Sequence, residues 1–435
     1  MTVGTIFLIV FALMLVFLVA GMYIHSVLLA AGIIGLVLME GPAYITGFLQ
    51  SDPFIRTVSY SLSTVPLFVI MAQFIVRSGI VEDLYNLVYN FSKGRSSILG
   101  ILTVIAGGLM GAVSGSSNAS AGAMGQVAVP QLMKRGYSEG IAGATVAAAG
   151  SLSSVIPPSI VLILWGVATE TPIGQLFIGS LVPGIIMMFV IIIIMLINLK
   201  TANKGQEVRL VKFEREDVPK TRAISALILI ALVAIIVFYG IYAGIFTPTE
   251  AGAVGAFVSF VVALILRRVN LNFLVTSFSE TVKLTSMIMM IMIGAQIFGR
   301  FVSITLLPRR LIEALSSLME YPVLILIILS VIYFVLFMLI EGAAVIVMTA
   351  PVVLPLILQM GTDKLWFGVL VGILCTIGLL TPPVGLSVYS VSGVTGIKSE
   401  KIFKYAMPMA IYLTIVIVTL IIIFPGLITY LPGQM

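Results

Sequence analysis

Charge is what this 435-residue chain most lacks: 9% of its residues are Asp, Glu, Lys or Arg, against 60% hydrophobic. That balance excludes a water-soluble core of ordinary composition. There is one cysteine, Cys375, and one histidine, His25. A single cysteine rules out an intrachain disulfide and a thiolate metal cluster, and its apolar surroundings read as those of a small buried side chain. A single histidine leaves a Ser–His hydrolase no base except one in the turn between the first two apolar segments. There His25 reads as a cap of that turn. Hydrophilic segments are nearly missing too. Only Lys200–Arg222 is sizeable, so there is no room for a nucleotide-binding domain.

What is present is apolar sequence in repeated runs from Thr5 to Pro425. Each is long enough to cross a hydrocarbon core of about 30 Å as a helix, and we count roughly ten crossings. Thr5–Ala20 lacks a basic leader and flows into a second apolar segment, Ser26–Met39, so it reads as a retained helix and not a cleaved signal. The net charge of +6 lies in short loops between these runs. Positive-inside topology in a lipid bilayer explains it, and a nucleic-acid partner does not.

Proline and glycine then reveal an internal repeat. Pro130 matches Pro355, Gly136 matches Gly361, Pro157–Pro158 matches Pro382–Pro383 and Pro183 matches Pro408, all at one offset. Two related halves are expected at 64–199 and 285–428. Residues 1–63 precede them, 200–284 carry the basic loop and connecting helices, and 429–435 form a tail. Lys93, Arg95, Lys134, Arg135 and the loop after Lys200 would be cytoplasmic, with the charge-free turn Ala168–Gly174 outside. In the second half Lys398, Lys401 and Lys404 occupy the place of that outer turn, while Gly426–Met435 is uncharged. The halves are therefore expected in inverted topology, with both termini periplasmic, a pattern of secondary transporters. Arg309 and Arg310 fall outside in this scheme, and Leu307–Tyr321 reads as an amphipathic arm at the interface. The expected fold class is an all-α polytopic membrane protein. Each half holds a re-entrant hairpin, about 96–134 and 322–360, and a helix broken at Pro-Pro, about 140–168 and 365–392.

The hairpin tips read Ser114-Gly115-Ser116-Ser117-Asn118-Ala119-Ser120 and Glu341-Gly342-Ala343-Ala344. Polar backbone at bilayer depth survives only when buried in protein or lining a wet cavity. Partners are at hand, because each Pro-Pro removes amide donors and frees carbonyl oxygens at a helix break. Hydroxyls cluster there: Ser151, Ser153, Ser154 and Ser159 in one half, Thr376, Thr381 and Ser387 in the other. Carbonyls and hydroxyls without a carboxylate cage suit a monovalent hard cation, so one Na+ site is expected per half. The first would use Ser114, Gly115, Ser117, Asn118, Gly150, Ser151, Ser153 and Pro157, and the second Glu341, Gly342, Thr376, Gly378, Thr381 and Pro382. Half-helix N-termini at the tips would face an anionic substrate, with Ser116, Asn118 and Ala343 beside it. Glu341 is the sharpest single signal, since a carboxylate in an apolar hairpin is costly. Gly107, Gly108, Gly111 and Ala112 read equally well as surfaces for close helix packing.

Gly-Ala-Val-Ser-Gly-Ser-Ser-Asn-Ala-Ser at 111–120, Ser-Val-Ile-Pro-Pro-Ser at 154–159 and Leu-Thr-Pro-Pro-Val-Gly at 380–385 resemble the large membrane subunit of tripartite ATP-independent periplasmic (TRAP) transporters. The resemblance spans nearly the whole chain. It implies an elevator, in which a transport domain of hairpins and broken helices slides against a scaffold, and sodium-driven uptake of a small organic anion such as sialic acid or a C4-dicarboxylate. It also implies a bacterial inner-membrane location and assigns ion and substrate binding to 114–118, 151–158, 341–343 and 376–382. A small four-helix membrane subunit and a periplasmic substrate-binding protein are the implied partners. The first apolar segment begins at Thr5, so the small subunit is expected as a separate chain. The rival reading is a self-sufficient sodium:anion symporter of a related inverted-hairpin fold. A channel needs no paired broken helices, and an intramembrane serine protease would have to use His25.

Overall fold

The computed structural model describes residues 2–49, 59–202, 224, 228 and 231–435. From residue 203 onward, the basic loop expected on the cytoplasmic side lies outside the described residues.

A chain this apolar has to pair its backbone polar groups within each segment, which leaves helices as the form available. Among the described residues eight helices have the length and composition to cross a membrane, and shorter apolar helices fill the gaps. The first pair, α1 (Val3–Val19) and α2 (Ile24–Glu40), pack on each other. A short α3 (Pro42–Leu49) follows, then α4 (Thr64–Arg77) and α5 (Ile80–Phe91). Next come a hairpin of α6 (Ser96–Ser114) and α7 (Ser117–Lys134), an interrupted pair α8 (Glu139–Ser151) and α9 (Ile160–Thr169), and the long α10 (Ile173–Ala202).

After α11 (Ala231–Tyr242), α12 (Pro248–Ile265) and α13 (Leu271–Ile304), the short α14 (Leu307–Ala314) leads into a second series of the same order. It consists of a hairpin of α15 (Pro322–Leu339) and α16 (Gly342–Gln359), an interrupted pair α17 (Lys364–Gly378) and α18 (Leu386–Thr395), and the long α19 (Ser399–Ile423). The Pro157-Pro158 and Pro382-Pro383 bonds, one in each interruption, are both cis. A last turn, α20 (Gly426–Thr429), packs on α10.

Sequence sets these ends locally. Thr247 and Glu250 form a reciprocal capping box with Pro248 in the first turn of α12, and Asn270 Oδ1 accepts from Phe273 N at 2.7 Å to start α13. The expected cap role of His25 is not what the structure shows. Tyr23 is the cap residue of α2, and His25 lies inside the first helical turn with its ring stacked on Tyr23 at 5.6 Å. The apolar positions of α2 begin at once, so the helix starts before the histidine. Gly294 brings α13 against the His25 carbonyl and Gly32 brings α2 against the backbone of Ile297 and Phe298, the close approach that small residues allow in lipid.

The two series interlock. In the first hairpin α7 packs on both α8 and α18, while in the second α16 packs on α9 and α13. Lys401 at the start of α19 pairs with Glu139 at the start of α8 at 2.7 Å, and the Lys364 Nζ donates to the Glu170 carbonyl at 2.8 Å. The arm read at Leu307–Tyr321 begins as α14, eight residues without a buried side chain and with an exposed Arg309–Glu313 pair at 2.9 Å.

Candidate functional site

The first hairpin turns at Gly115, whose φ of +60° belongs to the left-handed region open to glycine. A side chain there would also strike the carbonyl of Pro158, because a Cβ would lie 2.7 Å from that oxygen. This approach presses the tip onto the break after α8. The Gly115 carbonyl accepts from Ile160 N at 3.5 Å, and the hydroxyls of the two elements interleave. Ser117 Oγ donates to the Ser151 carbonyl at 3.1 Å and lies 2.6 Å from Ser154 Oγ. Ser153 Oγ is 3.0 Å from Ser120 Oγ and 3.5 Å from Ser114 Oγ, and Ser114 and Ser120 are 2.5 Å apart. All six serines are buried. The contacting atoms are hydroxyl and carbonyl oxygens, with no carboxylate among them.

Most of the first expected set is therefore brought together. Gly150 serves by its lack of a side chain, since a Cβ would lie 2.6 Å from the Ala121 backbone. Asn118 is not in the cluster: it is exposed, turned away by about 100° per residue of helix from Ser117. At the Pro-Pro break the carbonyl that a Cβ on Gly115 would meet is that of Pro158, the residue after the expected Pro157. Ser120 and Ser154 join the cluster beyond the expected ligands. Ser120 stands three residues after Ser117 on the same helical face, a signal the sequence does carry. Ser159 Oγ donates to the Ser154 carbonyl at 2.5 Å and accepts from Leu162 N, so it fixes the start of α9.

The second tip is built differently. Ile340 is extended and Glu341 is the cap residue of α16, its Oε2 accepting from Ala343 N at 3.0 Å and Ala344 N at 3.3 Å. The amide of Ala343, expected beside a substrate anion, is thus taken by the protein's own carboxylate. By contrast Ser116, the cap residue of α7, makes no side-chain cap hydrogen bond. The break residues lie close to the second tip through glycine: a Cβ on Gly342 would be 2.6 Å from Cys375 Sγ, and Gly378 packs against the backbone of Phe337. Their hydroxyls turn inward on their own helix, Thr376 to the Gly372 carbonyl at 2.9 Å and Thr381 to the Gly378 carbonyl at 2.8 Å. Glu341 makes no hydrogen bond to either. Ser387 Oγ, at the start of α18, is buried without a hydrogen-bond partner among the described residues. At Pro382–Pro383 the chain crosses to the hairpin through Val384 N, which donates to the Met338 carbonyl at 3.4 Å.

Both tips converge on the first turn of α9. Gly115 bonds Ile160, and a Cβ on Gly342 would lie 3.7 Å from Cγ2 of the next residue, Val161.

The sequence profile of the family described as tripartite ATP-independent periplasmic transporter, DctM component, matches residues 11–427. The chain is 30% identical over 378 residues to the C4-dicarboxylate TRAP transporter large permease protein DctM of Pseudomonas aeruginosa, covering 86% of this chain and 85% of that one. It is 28% identical over 375 residues to the sialic acid TRAP transporter large permease protein SiaM of Vibrio cholerae, covering 86% of each. It is also 29% identical over 368 residues to the 2,3-diketo-L-gulonate TRAP transporter large permease protein YiaN of Escherichia coli, covering 84% and 85%. In fold it is similar to the YdaH transporter of Alcanivorax borkumensis, with a TM-score of 0.67 over 95% of this chain and 98% of that one at 15% identity.

Proposed function

Because the chain belongs to the DctM-component family of tripartite ATP-independent periplasmic transporters, we propose that it couples sodium entry to uptake of a small organic anion by an elevator movement. It is a multi-pass permease of the bacterial inner membrane, not an enzyme. The cargo belongs to the class named for its relatives, a C4-dicarboxylate, sialic acid or a similar anion. A periplasmic binding protein delivers it, and a small membrane subunit completes the complex.

The observation that carries this reading is the convergence of two hairpin tips on the first turn of α9, one of them lined by buried hydroxyls. One Na+ would sit among Ser114, Ser117, Ser120, Ser153 and the Ser151 carbonyl, drawing on lone pairs now shared between hydroxyls and turning their protons aside. A hard monovalent cation suits that donor set. A second would draw on Glu341, whose Oε2 already holds the α16 amides, with Thr376, Thr381 and the carbonyls around Gly378. Once the first ion has fixed the tip, the uncapped start of α7 at Ser116 and Ser117 offers partial positive charge to the cargo's carboxylate.

The interlocking of α6–α9 with α15–α18 supports their moving as one body against α1, α2, α12 and α13. The Lys401–Glu139 pair joins the start of α19 to the start of α8, a few residues after Lys134 and Arg135, and so supports a shared basic side, inverted topology and periplasmic termini.

The test is uptake into proteoliposomes holding this chain and its small membrane partner, with and without a sodium gradient and a binding protein. Uptake that requires both is expected. Uptake by this chain alone would place it among self-sufficient symporters, and indifference to sodium would end the proposed ion sites.

A further inference from the structure

Helices α4 and α5 stand between the body that carries the tips and the helices it would move against. Most of the packing of α4 is on α12 and α13, whereas α5 packs on α6 and α7 of the first hairpin. By packing alone, α5 would travel with the hairpin and the chain would bend between α4 and α5. The turn there is Ser78-Gly79, with Gly79 at a φ of +71°. Arg268, in the connection between α12 and α13, bridges it. Its Nη1 donates to the Ser78 carbonyl before the bend, and its Nη2 lies 2.6 Å from Asp83 Oδ2 in the first turn of α5. A Cβ on Gly79 would lie 2.8 Å from the same Nη1. One guanidinium thus fastens both sides of the bend to the α12–α13 connection, in a place where the pair is largely withdrawn from water and little screened by salt. A second turn joins α5 to α6. There Lys93 and Gly94 are both left-handed, at φ of +47° and +77°, a conformation that disfavours a lysine. Tyrosine hydroxyls span this turn: Tyr85 Oη lies 3.0 Å from Thr103 Oγ1 of α6 and 3.5 Å from the Ala128 carbonyl of α7, and Tyr89 Oη accepts from Arg135 Nη2 at 2.6 Å.

We propose that Arg268 and Asp83 are positioning residues that keep α5 on the α12–α13 scaffold throughout the transport cycle, so that the first hairpin swings about Lys93–Gly94. The inference rests on the elevator reading above. It makes α5 a stationary arm and assigns the moving surface to its tyrosines. A hydrogen bond between two charged groups is about twice as strong as one between neutral groups, so the Arg268–Asp83 pair suits a joint that is kept, and the Tyr85 hydroxyl contacts suit one that is remade in each cycle. A hinge needs only a few loop residues to absorb the change in φ and ψ, and of the two turns that flank α5 the first is clamped from outside. Without the guanidinium, α5 would be left to its larger packing surface and would follow the hairpin.

The experiment measures distances between pairs of spin labels by double electron–electron resonance, with and without sodium, in the complex with its small membrane partner in lipid nanodiscs. Cys375 is the one native thiol and is buried, so the unsubstituted chain is the background control. Three exposed positions carry the labels in pairs: Glu82→Cys on α5, Leu271→Cys at the start of α13 and Lys134→Cys at the end of α7. The arm-to-scaffold pair, 82 with 271, is expected to give one distance that sodium leaves unchanged. The arm-to-hairpin pair, 82 with 134, should give two distances whose balance shifts with sodium, as should the scaffold-to-hairpin pair, 271 with 134. Adding Arg268→Gln should split the arm-to-scaffold distance in two and leave one arm-to-hairpin distance. A single arm-to-hairpin distance beside two scaffold-to-hairpin distances would overturn the inference alone, since the hairpin would then move and carry α5 with it. A single scaffold-to-hairpin distance would end the elevator reading and the inference together. Arm-to-scaffold distances that stay single in Arg268→Gln would remove Arg268 from the role, and if that variant fails to assemble, the three pairs in the otherwise native chain still decide which turn is the hinge.

Discussion

Ser117 bridges the first tip to its helix break, meeting the Ser151 carbonyl and the Ser154 hydroxyl in a buried place. Ser117→Ala strands those partners at a cost of about 1–3 kcal/mol. If the hydroxyl also binds Na+, the half-saturating sodium concentration for uptake should rise by about tenfold, the equivalent of 1.4 kcal/mol. An unchanged sodium dependence would remove Ser117 from the ion site. Gly115→Ala and Gly122→Ala form a second contrast within one hairpin. The first forces a Cβ into left-handed backbone beside the Pro158 carbonyl and should destabilise by more than about 1–2 kcal/mol. The second adds a methyl to open space inside α7 and should stabilise by about 0.5–1 kcal/mol. Thermal unfolding of the purified complex reads both. Glu341 divides similarly: Glu341→Ala loses the α16 cap, at about 0.5–2 kcal/mol. Glu341→Gln keeps an acceptor for Ala343 N and should leave stability nearly intact while lowering sodium-driven uptake. At this scale the sequence exposes the costly residue but not its local duty. Glu341 stands out because a carboxylate is expensive among apolar neighbours. That its oxygen faces its own helix depends on a φ of −61° and ψ of 142° no residue type dictates. Asn118 errs in the other direction, adjacent to Ser117 in sequence and a helical step away from it in space.

Between elements, Arg268 supplies a polar fastening outside the tips. It pairs with Asp83 at 2.6 Å and also donates to the Ser78 carbonyl, binding the α4–α5 turn to the connection between α12 and α13. Both side chains are mostly sheltered, whereas Lys401 and Glu139 are about half exposed. A double-mutant cycle on Asp83 and Arg268 should give a coupling of about 1–3 kcal/mol, and one on Glu139 and Lys401 less than about 1 kcal/mol. The reverse order would mean that exposure does not govern these pairs. The helices themselves were legible because apolar runs in lipid have few alternatives, and the helix interruptions because paired prolines cannot donate. What no local pattern announces is which helix lies against which. The packing of α18 on α7 and of α16 on α9 arises from contacts between residues far apart in sequence.

For the molecule as a whole, the orientation proposed here makes a prediction of its own. An epitope placed after Met435 should be reached by antibody in spheroplasts without permeabilisation, while one in the loop after Lys200 should require it. The opposite pattern would invert the proposed topology. The interlocked halves also bear on how such a chain is made. Because α7 and α8 rest on α18 and α19, and α9 on α16 and α17, the partners of the first hairpin leave the ribosome long after the hairpin itself. Until then its serines and glycines must wait in the insertion machinery or against lipid, with their packing surface uncovered. A truncated product ending near Ala202 would carry that uncovered surface permanently, and should be a substrate for membrane quality-control proteolysis, not a stable half-transporter.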